Sequence, residues 1–236
     1  MMKLIYILYQ YFIALPILIV VTILTAIITL LAFPCPNAEW LHKVQQFWAR
    51  CACWLLFIPV EVRGLENIQP NQSYIFISNH QSSYDIFVIY GWLPVVFKWL
   101  MKQELRQVPL IGVACKATGH IFIDRSNPVA AVKSIQQVEK ALVNGISTVI
   151  FPEGTRSKDG QVGRFKRGAF QVALDLHLPI IPISLHGCYD VMPKDVKYVT
   201  RHPICMTLGK PIAIPSEITD INEFIETIRQ TIIQGA

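Results

Sequence analysis

Residues 73–93 read SYIFISNHQSSYDIFVIYGWL. Tyr74 to Ile77 form an apolar run, a polar turn follows, and apolar residues resume behind Ser82, a residue suited to capping a helix. Strand, turn and helix succeed one another here, and the strand has no polar face. A strand apolar on both faces belongs in a sheet covered on both sides. The same alternation runs outward from this segment. Further strands are predicted at VEVRG (60–64), VVFKWLM (95–101), HIFID (120–124), STVIF (147–151), PIIPISL (179–185) and ICMTLG (204–209). Helices are expected at PVAAVKSIQQVEKALVNG (128–145), which opens on Pro and closes on Gly, at KRGAFQVALDLH (166–177) and at SEITDINEFIETIRQTII (216–233). The fold class is α/β, a layered domain with a mostly buried mixed sheet flanked by helices.

Upstream of residue 60 the pattern changes. No charged side chain occurs between Lys3 and Glu39, and LPILIVVTILTAIITLLAF (15–33) is almost wholly aliphatic. This run reaches the roughly 20 residues a helix needs to cross a bilayer core, and only as a helix does it satisfy its own backbone there. A cleaved signal peptide would be shorter and would end in a small-x-small site, which does not follow here. Pro16 is expected either to kink the helix or to mark its first turn. The next stretch, WLHKVQQFWARCACWLLFIP (40–59), holds three of the five Trp. Such a helix suits a membrane interface, and it equally suits an amphipathic helix packed on the domain. Residues 1–59 are expected to form a membrane-associated helical hairpin, inserted in or lying along one face of a bilayer, and residues 60–236 the functional domain.

Hydrophobic residues make up 53% of the 236 and charged residues 16%, an apolar balance for a soluble enzyme. The formal charge of +5 comes with no Arg-rich helix and no aromatic nucleic-acid signature. It reads as attraction to anionic lipid or phosphorylated substrates, with no nucleic-acid partner. Cys35, Cys51, Cys53, Cys115, Cys188 and Cys205 include no Cys-x-x-Cys pair and no His at ligand spacing. They read as buried thiols of a reducing compartment, and no metal site is expected.

The turn at 78–85 carries a histidine and an aspartate five apart. An imidazole is a natural general base near neutral pH, and a carboxylate on one ring nitrogen fixes the tautomer and frees the other. On one continuous helix five residues would set the two side chains roughly 140° apart. The pair works only with His80 on the strand end or turn and Asp85 on the first helical turn, and the sequence supplies that break. Spacing alone is weak, since six His and seven Asp yield roughly 0.2 such pairs by chance. A loop histidine beside a capping aspartate would explain it as well. A second loop adds weight. VIFPEGTRSKDG (149–160) follows a buried strand, with Gly154 for a tight turn and Thr155 and Arg156 as donors. A guanidinium donates two parallel hydrogen bonds to a phosphate. Arg164, Lys166 and Arg167 add positive charge downstream, as they would on any solvated basic face.

SNHQSSYD and FPEGTRS together resemble the glycerolipid acyltransferases, specifically the 1-acylglycerol-3-phosphate (lysophosphatidic acid) acyltransferases. The H-x-x-x-x-D mark appears as His80 to Asp85, the F-x-x-R mark as FIDR (122–125), E-G-T-R within PEGTRS (152–157), and the later proline block as IIPIS (180–184). KQEL (102–105) and PLIG (109–112) resemble segments of the bacterial branch. The resemblance spans residues 60 to about 210. It implies that His80 deprotonates the sn-2 hydroxyl of the lysolipid, which attacks an acyl thioester, and that Asp85 orients the imidazole. It implies that Glu153, Gly154, Thr155 and Arg156 meet the acceptor, with Arg156 and Arg125 on its phosphate and Lys102 as a further contact. No cofactor is implied beyond acyl-CoA or acyl-ACP as co-substrate. The partners implied are lysophosphatidic acid, the thioester, the bilayer and acyl carrier protein. The place implied is a membrane, the inner membrane in a bacterium, with the catalytic domain facing the cytoplasm. An apolar groove from His80 toward the membrane is expected to measure acyl length. Three other readings compete. An acyltransferase acting on a different lysolipid would carry the same motifs. A serine hydrolase is disfavoured because no Gly-x-Ser-x-Gly elbow occurs, and a lipid-binding protein without catalysis would need neither base nor orienter.

Overall fold

The computed structural model describes residues 2–32, 38–123, 142, 145–215 and 220–236. Cys35, Asp124, Arg125 and nearly all of the helix expected over 128–145 lie outside these residues. All seven expected strands form: β1 (Val60–Arg63), β2 (Ile75–Ser78), β3 (Phe97–Lys102), β4 (Ile121–Ile123), β5 (Ser147–Ile150), β6 (Ile180–His186) and β7 (Ile204–Leu208). They make one sheet in the order β1-β7-β6-β2-β5-β3-β4. Every neighbouring pair is parallel except β6 and β7, so the sheet is mixed.

Side-chain alternation sorts the sheet's residues onto two covered faces. Phe76, Phe97, Trp99 and Val149 face one way and pack with Val88 and Ile89 of a helix at Tyr84–Trp92 and with Ala49 and Cys53 of a helix at Ala38–Trp54. Ile75, Ile77, Ile150 and Ile180 face the other way, against Phe170 and Ala173 of Arg167–Leu176 and Ile225, Ile228 and Ile232 of Ile221–Ile233. The near-continuous apolar runs are thereby explained. In chain order the helices are α1 (Met2–Tyr9), α2 (Leu15–Ala32), α3 (Ala38–Trp54), α4 (Tyr84–Trp92), α5 (Ile111–Ala117), α6 (Arg167–Leu176), α7 (Cys188–Val191) and α8 (Ile221–Ile233). Ser82 Oγ accepts from the Tyr84 N–H at 3.1 Å, but the N-cap position falls on Ser83, whose side chain makes no capping bond, so Ser82 is not the cap expected. α8 starts at Ile221, and the carboxylate of its N-cap Asp220 accepts from the Asn222 N–H; residues 216–219 of the helix expected over 216–233 lie outside the described residues.

α1 and α2 are one continuous helix, long and apolar enough to cross a membrane, with a mean hydropathy of 2.8 over its best window and only 17% of that window buried. Pro16 neither ends nor sharply breaks it. The turn before it, Gln10–Ala14, is π-helical, and the Leu15 N–H reaches Gln10 O. One wider turn there makes room for a proline ring that would otherwise crowd the carbonyl four residues back. Polar side chains fasten this end to the domain. Gln10 donates to Val199 O and accepts from Val199 N–H, at 2.7 and 2.8 Å. The Tyr6 and Tyr9 hydroxyls donate to Leu56 O and Leu55 O. α3 packs on the domain, as the second of the two readings for its sequence expected. One face packs on α4 and α2, while Trp40, Phe47 and Trp54, seven apart, are each about half exposed on the other.

Candidate active site

The parallel strands β2, β5 and β3 end side by side, and the loops leaving their carboxyl ends build the site, where ligands bind in open α/β sheets. After β2, the buried Asn79 exchanges two 2.9 Å hydrogen bonds with the Leu185 backbone, which pins the turn to β6. His80 follows on that turn and Asp85 on the first turn of α4, the break the pairing needs. His80 Nδ1 donates to Asp85 Oδ2 at 2.8 Å. The same carboxylate oxygen accepts from the Gln81 and Ser82 N–H groups at 2.6 and 2.8 Å. Asp85 is fully buried. Among the described residues its other oxygen has no hydrogen-bond partner. Burial first, then the charge of Asp85, hold the pKa of the buried Cys188 thiol of α7 well above the usual range.

The loop after β5 clamps His80 from the other side. Glu153 Oε1 accepts from the His80 N–H at 2.8 Å and its Oε2 from the Gly163 N–H at 3.0 Å. The Ser157 N–H donates to His80 O at 2.8 Å. Burial pushes the Glu153 carboxyl up, opposed by the two N–H donors. At Gly163 an added Cβ would stand 2.9 Å from Glu153 Oε2, so glycine leaves room for the clamp. Gly154 has φ +74°, the left-handed turn foreseen for it. Phe151 stacks on the His80 ring at 4.0 Å and 11°, and Trp99 stacks on Phe151 at 5.5 Å.

A cavity of about 400 Å³ opens here. Its polar end is His80, Lys102, Gly154, Thr155 and Arg156, and its apolar wall is Ile86, Trp99, Met101, Leu105 and Phe151. The Arg156 guanidinium donates to Ser83 Oγ at 2.8 Å, at the start of α4. Lys102 is exposed and stands 3.8 Å from Glu104. A second, almost wholly apolar cavity of about 240 Å³ starts at Ser83 and runs under the N-terminal helix, between Ala14, Leu18, Leu55 and Phe87.

The fold thus brings His80, Asp85, Lys102, Glu153, Gly154, Thr155 and Arg156 together. Arg125 lies outside the described residues. Arg164, Lys166 and Arg167 are exposed and line neither cavity. Sequence reasoning missed Cys188, Ser83, Ser157 and the ring stack. Only the aromatic residues at strand ends offered a signal. The amides of His80, Gln81 and Ser82 are all committed to Glu153 or Asp85, so none of them is free to stabilise an oxyanion.

A family model described as Acyltransferase matches residues 59–186. The chain is 36% identical over 219 residues to a 1-acyl-sn-glycerol-3-phosphate acyltransferase of Cocos nucifera, covering 89% of this chain and 69% of that one. It is 39% identical over 156 residues to the enzyme of the same name from Pseudomonas aeruginosa, covering 64% of this chain and 60% of the relative. Among solved structures, the 1-acyl-sn-glycerophosphate (LPA) acyltransferase of Thermotoga maritima superposes with a TM-score of 0.80 at 26% identity, over 98% of this chain and 94% of that one.

Proposed function

The chain belongs to the acyltransferase family, and from that premise we propose that it transfers a fatty acyl group from acyl-CoA or acyl-ACP to the sn-2 hydroxyl of lysophosphatidic acid, giving phosphatidic acid. The observation that carries this reading is the 2.8 Å bond from His80 Nδ1 to a fully buried Asp85, on the wall of a cavity that also holds Arg156. With Nδ1 engaged, Nε2 is the basic nitrogen. It takes the hydroxyl proton as the lipid oxygen attacks the thioester carbonyl carbon. The new C–O bond forms, the tetrahedral adduct collapses, the C–S bond breaks, and the thiolate takes the proton from Nε2. The thioester is already activated, so no covalent acyl-enzyme is required.

Asp85 keeps the imidazole aimed and stabilises the imidazolium. Glu153 holds the His80 backbone. Arg156, supported by Ser83, binds the acceptor phosphate, with Thr155, Lys102 and Arg125 as further contacts and Gly154 permitting the close approach. The apolar cavity under the N-terminal helix receives the donor's acyl chain, so its depth sets chain length. The helix itself seats the enzyme in a membrane, with the catalytic domain on the cytoplasmic side where thioesters are made. No cofactor enters the scheme.

The test is a purified-protein assay with lysophosphatidic acid, other lysolipids and both thioester carriers, read by product mass and by sn-2-specific deacylation. Phosphatidic acid labelled at sn-2 is expected. Free fatty acid formed at the same rate without acceptor would instead make the protein a hydrolase.

A further inference from the structure

The segment from the end of β3 through α5 exposes apolar and basic side chains, most of which lie outside the active-site lining. Leu105, Val108, Ile111 and Val113 are 44%, 36%, 43% and 57% exposed within nine residues of chain. Lys102, Arg106 and Lys116 are exposed among them, against one acid, Glu104. The backbone that presents these side chains is tightly wound. Gly112 N–H donates to Val108 O at 2.8 Å, and an added Cβ at Gly112 would stand 2.2 Å from Arg106 O. Leu110, at φ +65°, turns the chain so that Ile111 N–H reaches Pro109 O. This is a γ-turn at positive φ, a rare and strained conformation for a residue other than glycine. α5 packs against α2, the helix whose apolar side chains are bare. At its other end the segment reaches the mouth of the active-site cavity, where Lys102 and Leu105 form part of the lining.

We propose that the 105–116 segment is a second membrane-contact surface, which seats the cavity mouth on an anionic bilayer beside α2. It rests on the reading of α1–α2 as a membrane helix and deepens it. The bilayer is favoured over a protein partner by continuity. The patch adjoins a helix that is apolar all round, so whatever medium covers α2 also reaches α5. Its apolar side chains enter the interface, and its cations meet lipid phosphates. The acceptor then slides laterally into the site without crossing water.

Two measurements on the full chain test this. An environment-sensitive fluorescent amino acid at position 113 should shift to the blue on vesicles of mixed phosphatidylcholine and phosphatidylglycerol, and less without the anionic lipid. The same probe at position 20 on α2 serves as the control for insertion. Water-like emission at 113 while 20 is inserted overturns the proposal, as does a shift produced by acyl carrier protein and not by vesicles. In the second, V108D/V113D should lose roughly tenfold in kcat/KM on lysophosphatidic acid held in vesicles. It should keep its rate on a short-chain lysophosphatidic acid dissolved as monomer. Equal loss on both acceptors, or on neither, overturns it. Should the unaltered protein acylate neither acceptor, the assigned reaction fails, while the emission at 113 still decides the surface.

Discussion

At His80 the aim of the imidazole depends on groups that do not line the cavity. Glu153 offers two acceptor oxygens to two backbone N–H donors. Glu153→Gln replaces one acceptor by an NH₂ that faces an N–H. Losing one hydrogen bond to a charged group is worth about 1.5–3 kcal/mol. Steady-state kinetics should show kcat falling roughly ten- to a hundredfold with KM little changed, because it is the aim of the imidazole that suffers. Cys188 offers a milder case. Asp85 Oδ1 has no hydrogen-bond partner among the described residues; Cys188→Ser sets a stronger donor near it and should retain activity, whereas Cys188→Val takes a polarisable thiol from beside a buried carboxylate and should lower kcat several-fold. None of this was legible beforehand. The residue types at 80, 85 and 156 announce their chemistry, but a carboxylate bound to backbone amides has no signature in spacing. Glu153 was therefore expected at the acceptor, whereas its two oxygens are spent on the protein.

Between elements, a buried polar chain ties β3, α3 and α4 to the residue just before β4. Trp99 N–H donates to His120 Nδ1 at 3.2 Å, so Nε2 carries the proton and donates to the Tyr90 hydroxyl, which donates to Gln45. Protonating His120 would set an N–H against an N–H. Burial first, then the charge of Lys98, lowers its pKa to about 3. Burial likewise lowers His42, packed on Tyr90 and Phe97, to about 4. Both histidines are neutral when folded. As pH falls below 6.5 the unfolded chain binds protons that the folded chain refuses, so stability is full above 6.5 and is lost toward pH 4. His42 alone accounts for about 3 kcal/mol of that loss. Melting curves in detergent between pH 7 and 4 should show the decline, and His42→Gln should remove about half of it, the rest being owed to His120. Apolar runs bounded by polar turn residues were readable, which is why all seven strands were anticipated. α5, α7 and the π turn were not, since each is too short to show a period and depends on its neighbours.

Over the whole molecule, the N-terminal helix divides its work by length. α1 is fastened to the domain through Gln10 and two tyrosines, while α2 extends with its apolar side chains bare. Ile19, Ile23 and Ile27 are exposed at successive turns. A charged residue at mid-membrane costs about 2.5–3.5 kcal/mol. Replacing all three by Asp should release the protein from the membrane fraction without detergent, as sedimentation would show. Transfer to a short-chain acceptor should persist, because no catalytic side chain lies on α2. The hydropathy of this segment made a helix long and apolar enough to cross a membrane legible at once. How it docks was not, because Gln10 reads as one polar residue in an apolar run until Val199 is seen opposite it.

The account turns on the His80–Asp85 pair acting as base and orienter. It is tested most directly by the rate of phosphatidic acid formation from lysophosphatidic acid and acyl thioester by the purified protein and its His80→Ala and Asp85→Ala variants. Membrane binding and melting temperature are held as controls. Loss of roughly a hundredfold to ten-thousandfold in kcat for both variants, with each still folded and membrane-bound, is the expected result. Transfer within a few-fold of the unaltered protein in either folded variant would contradict it.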